Sequence, residues 1–166
     1  QAADIDERAL ARELPPAYAL RIAKKKAEKV GKQNENSFVL AADTVVDCGR
    51  RIMPKAETEA EANSCLNLLS GRRHKVLGAI VIYSPNGTQI YRVVKSVVTF
   101  KKLTQEEINF YLKTREWEGK AGGYAIQGLA ATYIRALNGS YSNVVGLPLY
   151  ETYQMLRGMG FKYKVP

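Results

Sequence analysis

Histidine and cysteine are scarce in this chain, and their scarcity excludes several kinds of functional site. The 166 residues include one histidine, His74, and two cysteines, Cys48 and Cys65. One histidine cannot form a histidine-rich zinc site, and two cysteines outside a C-x-x-C pattern do not form a disulfide framework. We therefore predict reduced, packed cysteines in a cytoplasmic protein. His74 follows two arginines, and we predict that it lies at the surface.

Long hydrophobic runs are also missing. The longest apolar stretch is far shorter than the roughly 20 residues of a membrane span, and the first residues contain no apolar segment typical of a secretory signal. Hydrophobic residues nevertheless make up 46% of the chain, which excludes a disordered chain and suffices for a core. We predict no membrane association and one domain over residues 1–166, with or without two lobes.

Negative charge is in short supply as well. The chain has 25 Lys and Arg residues against 16 Asp and Glu residues, which gives a net charge of +9. Such an excess favours an anionic partner, which could be a nucleic acid, a nucleotide or a phosphate. The basic residues are spread along the chain without an aromatic-rich nucleic-acid motif. A specifically bound nucleic acid is therefore the least favoured of these partners.

The spacing of apolar residues predicts alternating helices and strands. Helices are expected over 17–30, 57–70, 104–115 and 149–158, and strands over 37–47, 75–84, 88–100 and 129–137. The dipeptide Asn86-Gly87 predicts a hairpin between the second and third strands, and Thr104 with Glu107 predicts a capping box. Glycine-rich loops are expected over 119–128 and 138–148. This order predicts an α/β fold.

An aspartate interrupts the first predicted strand, whose sequence is SFVLAADTVVD. The β-branched and aromatic residues around Asp43 are typical of a buried strand, where a carboxylate is costly unless a partner offsets its charge. Two interpretations stay open. Asp43 either caps a turn at the end of the strand, or it lies at the edge of a sheet, where it activates water or binds a cation.

The loops offer a second reason to consider a phosphate site. Ligands of α/β sheets tend to bind beyond the strand ends, where the two glycine-rich loops and the region after Asp43 would converge. Lys26, Lys55, Glu7 and Asp43 would then surround a phosphate chain and a hard cation. Hydrolysis at phosphorus needs a polarised water and cations, and it needs no histidine or cysteine nucleophile.

Four segments resemble the signature blocks of the Maf-like nucleoside triphosphate pyrophosphatases. They are AADTVVD at 41–47, LSGRRHKV at 69–76, KAGGYAIQG at 120–128 and GSYSNVVGLPL at 139–149. The resemblance implies an α/β fold with an elongated mixed sheet, flanking helices and a deep cleft, similar to inosine-triphosphate pyrophosphatases. It also implies cleavage between the α- and β-phosphates, a divalent cation (Mg²⁺ or Mn²⁺) and, in many members, a homodimer.

The resemblance also assigns catalytic roles to individual residues. Asp43 matches the proton acceptor and a metal ligand, and Glu7 matches a second acidic residue near the metal. Lys26, in IAKKKA at 22–27, and Lys55, in IMPKA at 52–56, match lysines of the family. In this sequence the proline precedes Lys55, whereas the family usually places it after the lysine.

Two further residues match positions associated with the choice of base. Thr44 follows Asp43, and Gln127 lies in the Ile-Gln-Gly segment. This combination is similar to the subgroup that prefers dTTP and UTP. A glutamine amide offers both a donor and an acceptor, as the imide edge of a pyrimidine requires.

One part of the family pattern has no match. Nothing in residues 1–36 resembles the Ser-x-Ser-Pro-Arg-Arg segment, whose serine and arginine side chains hold phosphates in the family. We therefore expect a domain that lacks an N-terminal strand and its phosphate-binding loop. Two functions follow as hypotheses: a pyrophosphatase acting on dTTP and UTP, or a catalytically impaired nucleotide-binding or regulatory module linked to cell division.

Overall fold

The computed structural model describes residues 1–34 and 36–162. Its helices are α1 (Pro15–Gly31), α2 (Glu59–Leu69), α3 (Gln105–Thr114), α4 (Tyr141–Val145) and α5 (Leu149–Gly158), and its strands are β1 (Val39–Cys48), β2 (Arg51–Ile52), β3 (Arg73–Tyr83), β4 (Gln89–Phe100) and β5 (Ile134–Asn138). Over these ranges, no helix combines the length and the apolar character that a bilayer crossing requires.

The five strands form one sheet in the order β2-β1-β3-β4-β5. The α/β class, with helices flanking a sheet, is confirmed, and β3 and β4 form the predicted hairpin around Asn86-Gly87. All four described pairings are antiparallel, whereas a mixed sheet was expected. The mixed sheet was an expectation from the family resemblance; in this chain the tight connection around Asn86-Gly87 allows β3 and β4 to pair only in the antiparallel direction.

Helices and loops cover both faces of the sheet. On one face, three alanines of α1 (Ala19, Ala23 and Ala27) pack against Val45 of β1 and Leu77 of β3. Small side chains allow α1 to approach the sheet closely. The other face carries the larger core, to which α2, α3 and the 119–128 loop contribute. This layering places the middle of β1 between α1 and the glycine-rich loop.

Several sequence predictions hold in detail. Helix α5 has the predicted bounds, and Thr104 forms the predicted capping box with Glu107. Both cysteines are buried free thiols. The 129–137 segment was expected to be a strand throughout, but it begins with a 3₁₀ turn over Leu129–Tyr133, and the 138–148 loop contains the short helix α4.

The structure contradicts the predicted position of His74 and excludes one of the two interpretations of Asp43. The prediction of a surface His74 is wrong, because β3 begins at Arg73 and turns the histidine into the core, where it is 2% exposed. Asp43 does not cap a strand end. It lies in the middle of β1, opposite Ala79 of β3, and it is buried.

A buried asparagine ties α4 to the sheet. Asn143 donates hydrogen bonds from Nδ2 to the carbonyl oxygen of Val76 (3.1 Å) and to Oγ of Ser96 (3.0 Å). Its Oδ1 lies against Gly78, where a β-carbon would be only 2.0 Å from that oxygen. The side chain therefore requires a glycine at this point of β3.

The Gly78→Ala substitution is expected to lower the free energy of unfolding by about 2 kcal/mol, because it overpacks this contact. The check is denaturant unfolding followed by circular dichroism. Gly31→Ala is the matched control, since a β-carbon there would have nothing within 4 Å. Equal stability of the two variants would contradict the role assigned to the contact.

Candidate functional site

Four charged side chains from distant parts of the chain meet beside β1. The Nζ atom of Lys26 lies 2.7 Å from Oδ1 of Asp43 and 2.8 Å from Oε1 of Glu7. The Nζ atom of Lys55 lies 2.6 Å from Oε2 of the same glutamate. The structure therefore brings together the four residues that were predicted to surround a phosphate chain and a cation.

The packing of α1 on the sheet explains how Lys26 reaches Asp43. Lys26 directly precedes Ala27, whose side chain packs against the sheet. Its long side chain extends from the edge of that helix face toward β1. The irregular segment that carries Glu7 is held against the same helix, because the hydroxyl of Tyr18 donates a hydrogen bond to the carbonyl oxygen of Glu7 (2.7 Å).

Lys55 is held by a short backbone pairing with the glycine-rich loop. Lys55 and Ala121 form an antiparallel bridge. The N–H of Gly119 donates to the carbonyl oxygen of Ala56 (2.8 Å), and the N–H of Gly122 donates to that of Pro54 (2.9 Å). The unexpected position of the proline before Lys55 is thus compatible with a lysine that faces the other charged residues.

The proton affinities of these groups follow from burial and from their partners. Burial raises the pKa of Asp43 above its ordinary value, and the nearby Lys26 ammonium opposes that rise. Burial acts to raise the pKa of Glu7 too, but hydrogen bonds from Lys26 and Lys55 hold it below its ordinary value. Although burial acts to lower the pKa of Lys26, its two carboxylate partners raise it. Lys26 therefore keeps its positive charge at neutral pH.

A cavity of about 320 Å³ opens beside this cluster. Its lining includes every predicted site residue except Glu7, namely Lys26, Asp43, Thr44, Lys55 and Gln127. Apolar side chains of α4 and of the 119–128 loop complete the walls. One cavity thus combines charged groups with an apolar surface, as small-molecule sites commonly do.

The two residues predicted to select the base differ in their contacts. The hydroxyl of Thr44 donates a hydrogen bond to the carbonyl oxygen of Gly146 (3.3 Å), which links β1 to the end of α4. The side chain of Gln127 is exposed at the cavity. Its amide makes no hydrogen bond to any residue within 1–34 and 36–162, so its donors and its acceptor are available to a ligand.

Sequence reasoning missed two residues of the cavity wall, Lys120 and Tyr124. Both belong to the KAGGYAIQG segment, so a lysine and a tyrosine inside a glycine-rich loop were the available signal. Among the described residues, Lys120 forms no ion pair, whereas Lys26 and Lys55 are already paired with carboxylates. Lys120 is therefore the uncommitted cation of this cavity.

The two carboxylates suit a divalent cation whose coordination shell is completed by the phosphates of a bound nucleotide. Asp43 and Glu7 both lie within 2.8 Å of the Lys26 nitrogen, so their oxygens converge on one point. Mg²⁺ in nucleotide sites commonly takes one or two carboxylates and completes its shell with phosphate oxygens and water. In the part of the chain that the structure describes, no three His, Cys, Asp or Glu residues form a metal cluster.

An α/β domain with this combination of groups belongs to the class of proteins that bind phosphorylated small molecules. Lysines and paired carboxylates suit a phosphate chain and its cation, and a free amide beside an apolar wall suits a base. The family described as Maf-like protein matches residues 1–159. The chain belongs to this family, as the four sequence blocks predicted.

Named bacterial relatives are similar over most of their length. A protein of Paramagnetospirillum magneticum named dTTP/UTP pyrophosphatase is 57% identical over 159 residues, which cover 96% of this chain and 84% of the relative. A Rhodospirillum rubrum protein of the same name is 54% identical, with 96% and 76% covered. An Ehrlichia canis protein named nucleoside triphosphate pyrophosphatase is 52% identical, with 92% and 80% covered.

Proposed function

We propose that this chain is a nucleoside triphosphate pyrophosphatase that hydrolyses dTTP and UTP to the nucleoside monophosphate and pyrophosphate. The observation that carries the proposal is that Asp43, two partnered lysines and the free amide of Gln127 line the same cavity. Relatives named for this activity share more than half of their aligned residues with the chain. Their similarity does not favour the alternative of a catalytically impaired nucleotide-binding module.

In the proposed reaction, water attacks a phosphorus atom of the α–β anhydride, and the P–O bond that bridges the α- and β-phosphates breaks, so that the nucleoside monophosphate and pyrophosphate separate. Asp43 accepts the proton of that water, and its burial gives the carboxylate a higher proton affinity than an exposed aspartate has. Lys26, Lys55 and Lys120 offset the negative charge of the phosphates. An array of fixed cations stabilises developing charge without reorganisation during the reaction.

We propose that Asp43 and Glu7 hold a divalent cation, Mg²⁺ or Mn²⁺. When bound, such an ion offsets phosphate charge and lowers the pKa of a water molecule. Without the ion, the Lys26 ammonium pairs with both carboxylates, which avoids the cost of two unpaired, partly buried negative charges. The same proposal places the protein in the cytoplasm. It also includes a single domain over residues 1–166 and a homodimer.

The base is proposed to be selected by Thr44 and Gln127. Uracil and thymine present an imide N–H between two carbonyl oxygens, whereas cytosine lacks that N–H and carries an amino group. The amide of Gln127 can accept from the imide and donate to a carbonyl. A purine is larger and presents a different edge.

The Gln127→Leu substitution is therefore expected to lower the ratio of kcat/KM for dTTP over CTP by about tenfold, since the amide donor and acceptor available to the base are lost. The measurement is pyrophosphate release from dTTP, UTP, CTP and GTP with Mg²⁺. The wild-type chain is expected to prefer dTTP and UTP. Gln105→Leu on α3 is the control, because that glutamine bonds to Asn109 away from the cavity. A wild-type chain without a preference for dTTP and UTP over CTP, or a Gln127→Leu ratio equal to that of the control, would contradict this assignment.

A further inference from the structure

A buried histidine and a buried tyrosine form a hydrogen-bonded pair behind the cavity wall. The Nε2 atom of His74 lies 2.8 Å from the hydroxyl oxygen of Tyr124. The two rings meet edge to face, with centroids 5.4 Å apart, and Phe100 packs edge to face against both. Tyr124 also lines the cavity, so this pair links β3 directly to the wall of the site.

The loop that follows Tyr124 is anchored on both sides of Gln127. Before the glutamine, the N–H of Ala125 donates a hydrogen bond to the hydroxyl of Tyr111 (3.0 Å). After it, the N–H of Leu129 donates to Oε2 of Glu116 (2.8 Å). The segment between these anchors presents Ile126 and Gln127 to the cavity. The direction of the Gln127 side chain therefore depends on where the anchors hold the backbone.

The backbone just before Tyr124 has little room to shift. Gly123 has a φ of +68°, and a β-carbon there would lie 3.1 Å from Cβ of Cys65 and 3.2 Å from Cα of Ala62. The loop thus rests on helix α2 at the point where Tyr124 turns inward toward His74. Displacement of the tyrosine ring would have to be absorbed on the cavity side of the loop.

The chemistry of the pair suits positioning rather than proton transfer. Burial lowers the pKa of His74 to about 4 and raises the pKa of Tyr124 above its ordinary value. Both side chains are therefore neutral near pH 7. The Nδ1 atom of His74 has no hydrogen-bond partner among the described residues, so the bond to Tyr124 is the polar contact that orients the imidazole.

We propose that His74 and Tyr124 are positioning residues for base selection, because their hydrogen bond holds the 124–129 loop in the conformation that directs the amide of Gln127 into the cavity. The proposal rests on the proposed function, since it concerns how that site tells one base from another. It assigns a role to the histidine and the tyrosine that neither the local pattern nor the family resemblance had assigned.

The first test compares two tyrosine-to-phenylalanine variants. Tyr124→Phe removes the hydroxyl that meets His74 and keeps the ring. Tyr133→Phe is the matched control, because Tyr133 is also buried and its hydroxyl donates to the carbonyl oxygen of Glu107 (3.2 Å) outside the cavity. Tyr124→Phe is expected to raise KM for dTTP and lower the dTTP/CTP ratio of kcat/KM by about fivefold, as for one lost hydrogen bond. The control is expected to leave the ratio unchanged.

The second test examines the partner. His74→Leu is expected to shift the dTTP/CTP ratio as far as Tyr124→Phe does, and the double variant is expected to shift it no further, because both changes remove the same bond. His74→Gln places an amide near the position of Nε2 and is expected to restore most of the ratio. Equal ratios for Tyr124→Phe and Tyr133→Phe, or additive effects in the double variant, would overturn the positioning role.

A binding measurement separates this proposal from the proposed function. Dissociation constants for dTMP and dCMP, measured by calorimetry, report the choice of base without any turnover. If the wild-type chain released no pyrophosphate but bound dTMP more tightly than dCMP, the proposed reaction would be wrong. The positioning role would then still be tested by the dTMP and dCMP dissociation constants of the Tyr124→Phe, Tyr133→Phe and His74 variants. Equal binding of the two monophosphates by the wild-type chain would overturn the positioning role itself.

Discussion

Replacing Asp43 with asparagine is expected to lower kcat for pyrophosphate release from dTTP by about 10³-fold, within the range attributed to general-base catalysis. Asparagine has nearly the same size as aspartate, but it cannot accept a proton and carries no charge for Lys26 or a cation. The change is expected in kcat more than in KM, because the other phosphate-facing cations remain. The measurement is steady-state pyrophosphate release with saturating Mg²⁺.

Asp47→Asn is a closely matched control for this experiment. Asp47 lies four residues further along β1 and is also buried, but its nearest cation is Lys75 at 3.5 Å and it does not line the cavity. Its activity is expected to stay within about twofold of the wild-type value, as for a change that leaves the transition state untouched. If Asp43→Asn kept as much activity as Asp47→Asn, the proton acceptor would have to be a different residue.

Replacing Lys26 with methionine is expected to lower kcat/KM for dTTP by about 10²-fold, comparable to the loss of one preorganised electrostatic contact. Methionine keeps an unbranched apolar stem that can pack along α1. Without the ammonium, Asp43 and Glu7 lose the cation that lies within 2.8 Å of both, and the phosphates lose one counter-charge. Two charged groups of like sign are then left close together in a partly buried site.

Lys25→Met separates this effect from a general loss of positive charge. Lys25 is the preceding residue of α1, and its exposed side chain lies away from the cavity. This control removes the same charge from a chain whose net charge is +9 and is expected to leave kcat/KM nearly unchanged. Equal losses for the two variants would show that Lys26 acts through long-range attraction of the nucleotide and not through its contacts with the carboxylates.

Much of the fold could be predicted because local signals agree with the tertiary structure. Helix α5 and the capping box at Thr104 follow from short-range patterns that packing does not overrule. The position of His74 could not be predicted in this way. Two preceding arginines indicated a surface, but a single register in β3 decided that the histidine faces Phe100 and Tyr124.

The candidate site was predicted in a different manner from the fold. The buried setting of Asp43 was visible in its apolar neighbours, and the family resemblance supported the choice of Lys26 and Lys55. The position of Lys120 in the cavity wall depends on the backbone bridge between Lys55 and Ala121, which joins segments 66 residues apart. No local pattern reports such a contact, because its formation depends on the packing of the whole domain.

The most direct test of the account is the identity of the products formed from dTTP. Phosphorus-31 NMR of a reaction with Mg²⁺ distinguishes the monophosphate and pyrophosphate from the diphosphate and inorganic phosphate. The wild-type chain is expected to form dTMP and pyrophosphate in equal amounts, and the Asp43→Asn variant is expected to form neither at a comparable rate. Formation of dTDP and phosphate, or no change in dTTP under conditions where the nucleotide binds, would contradict it.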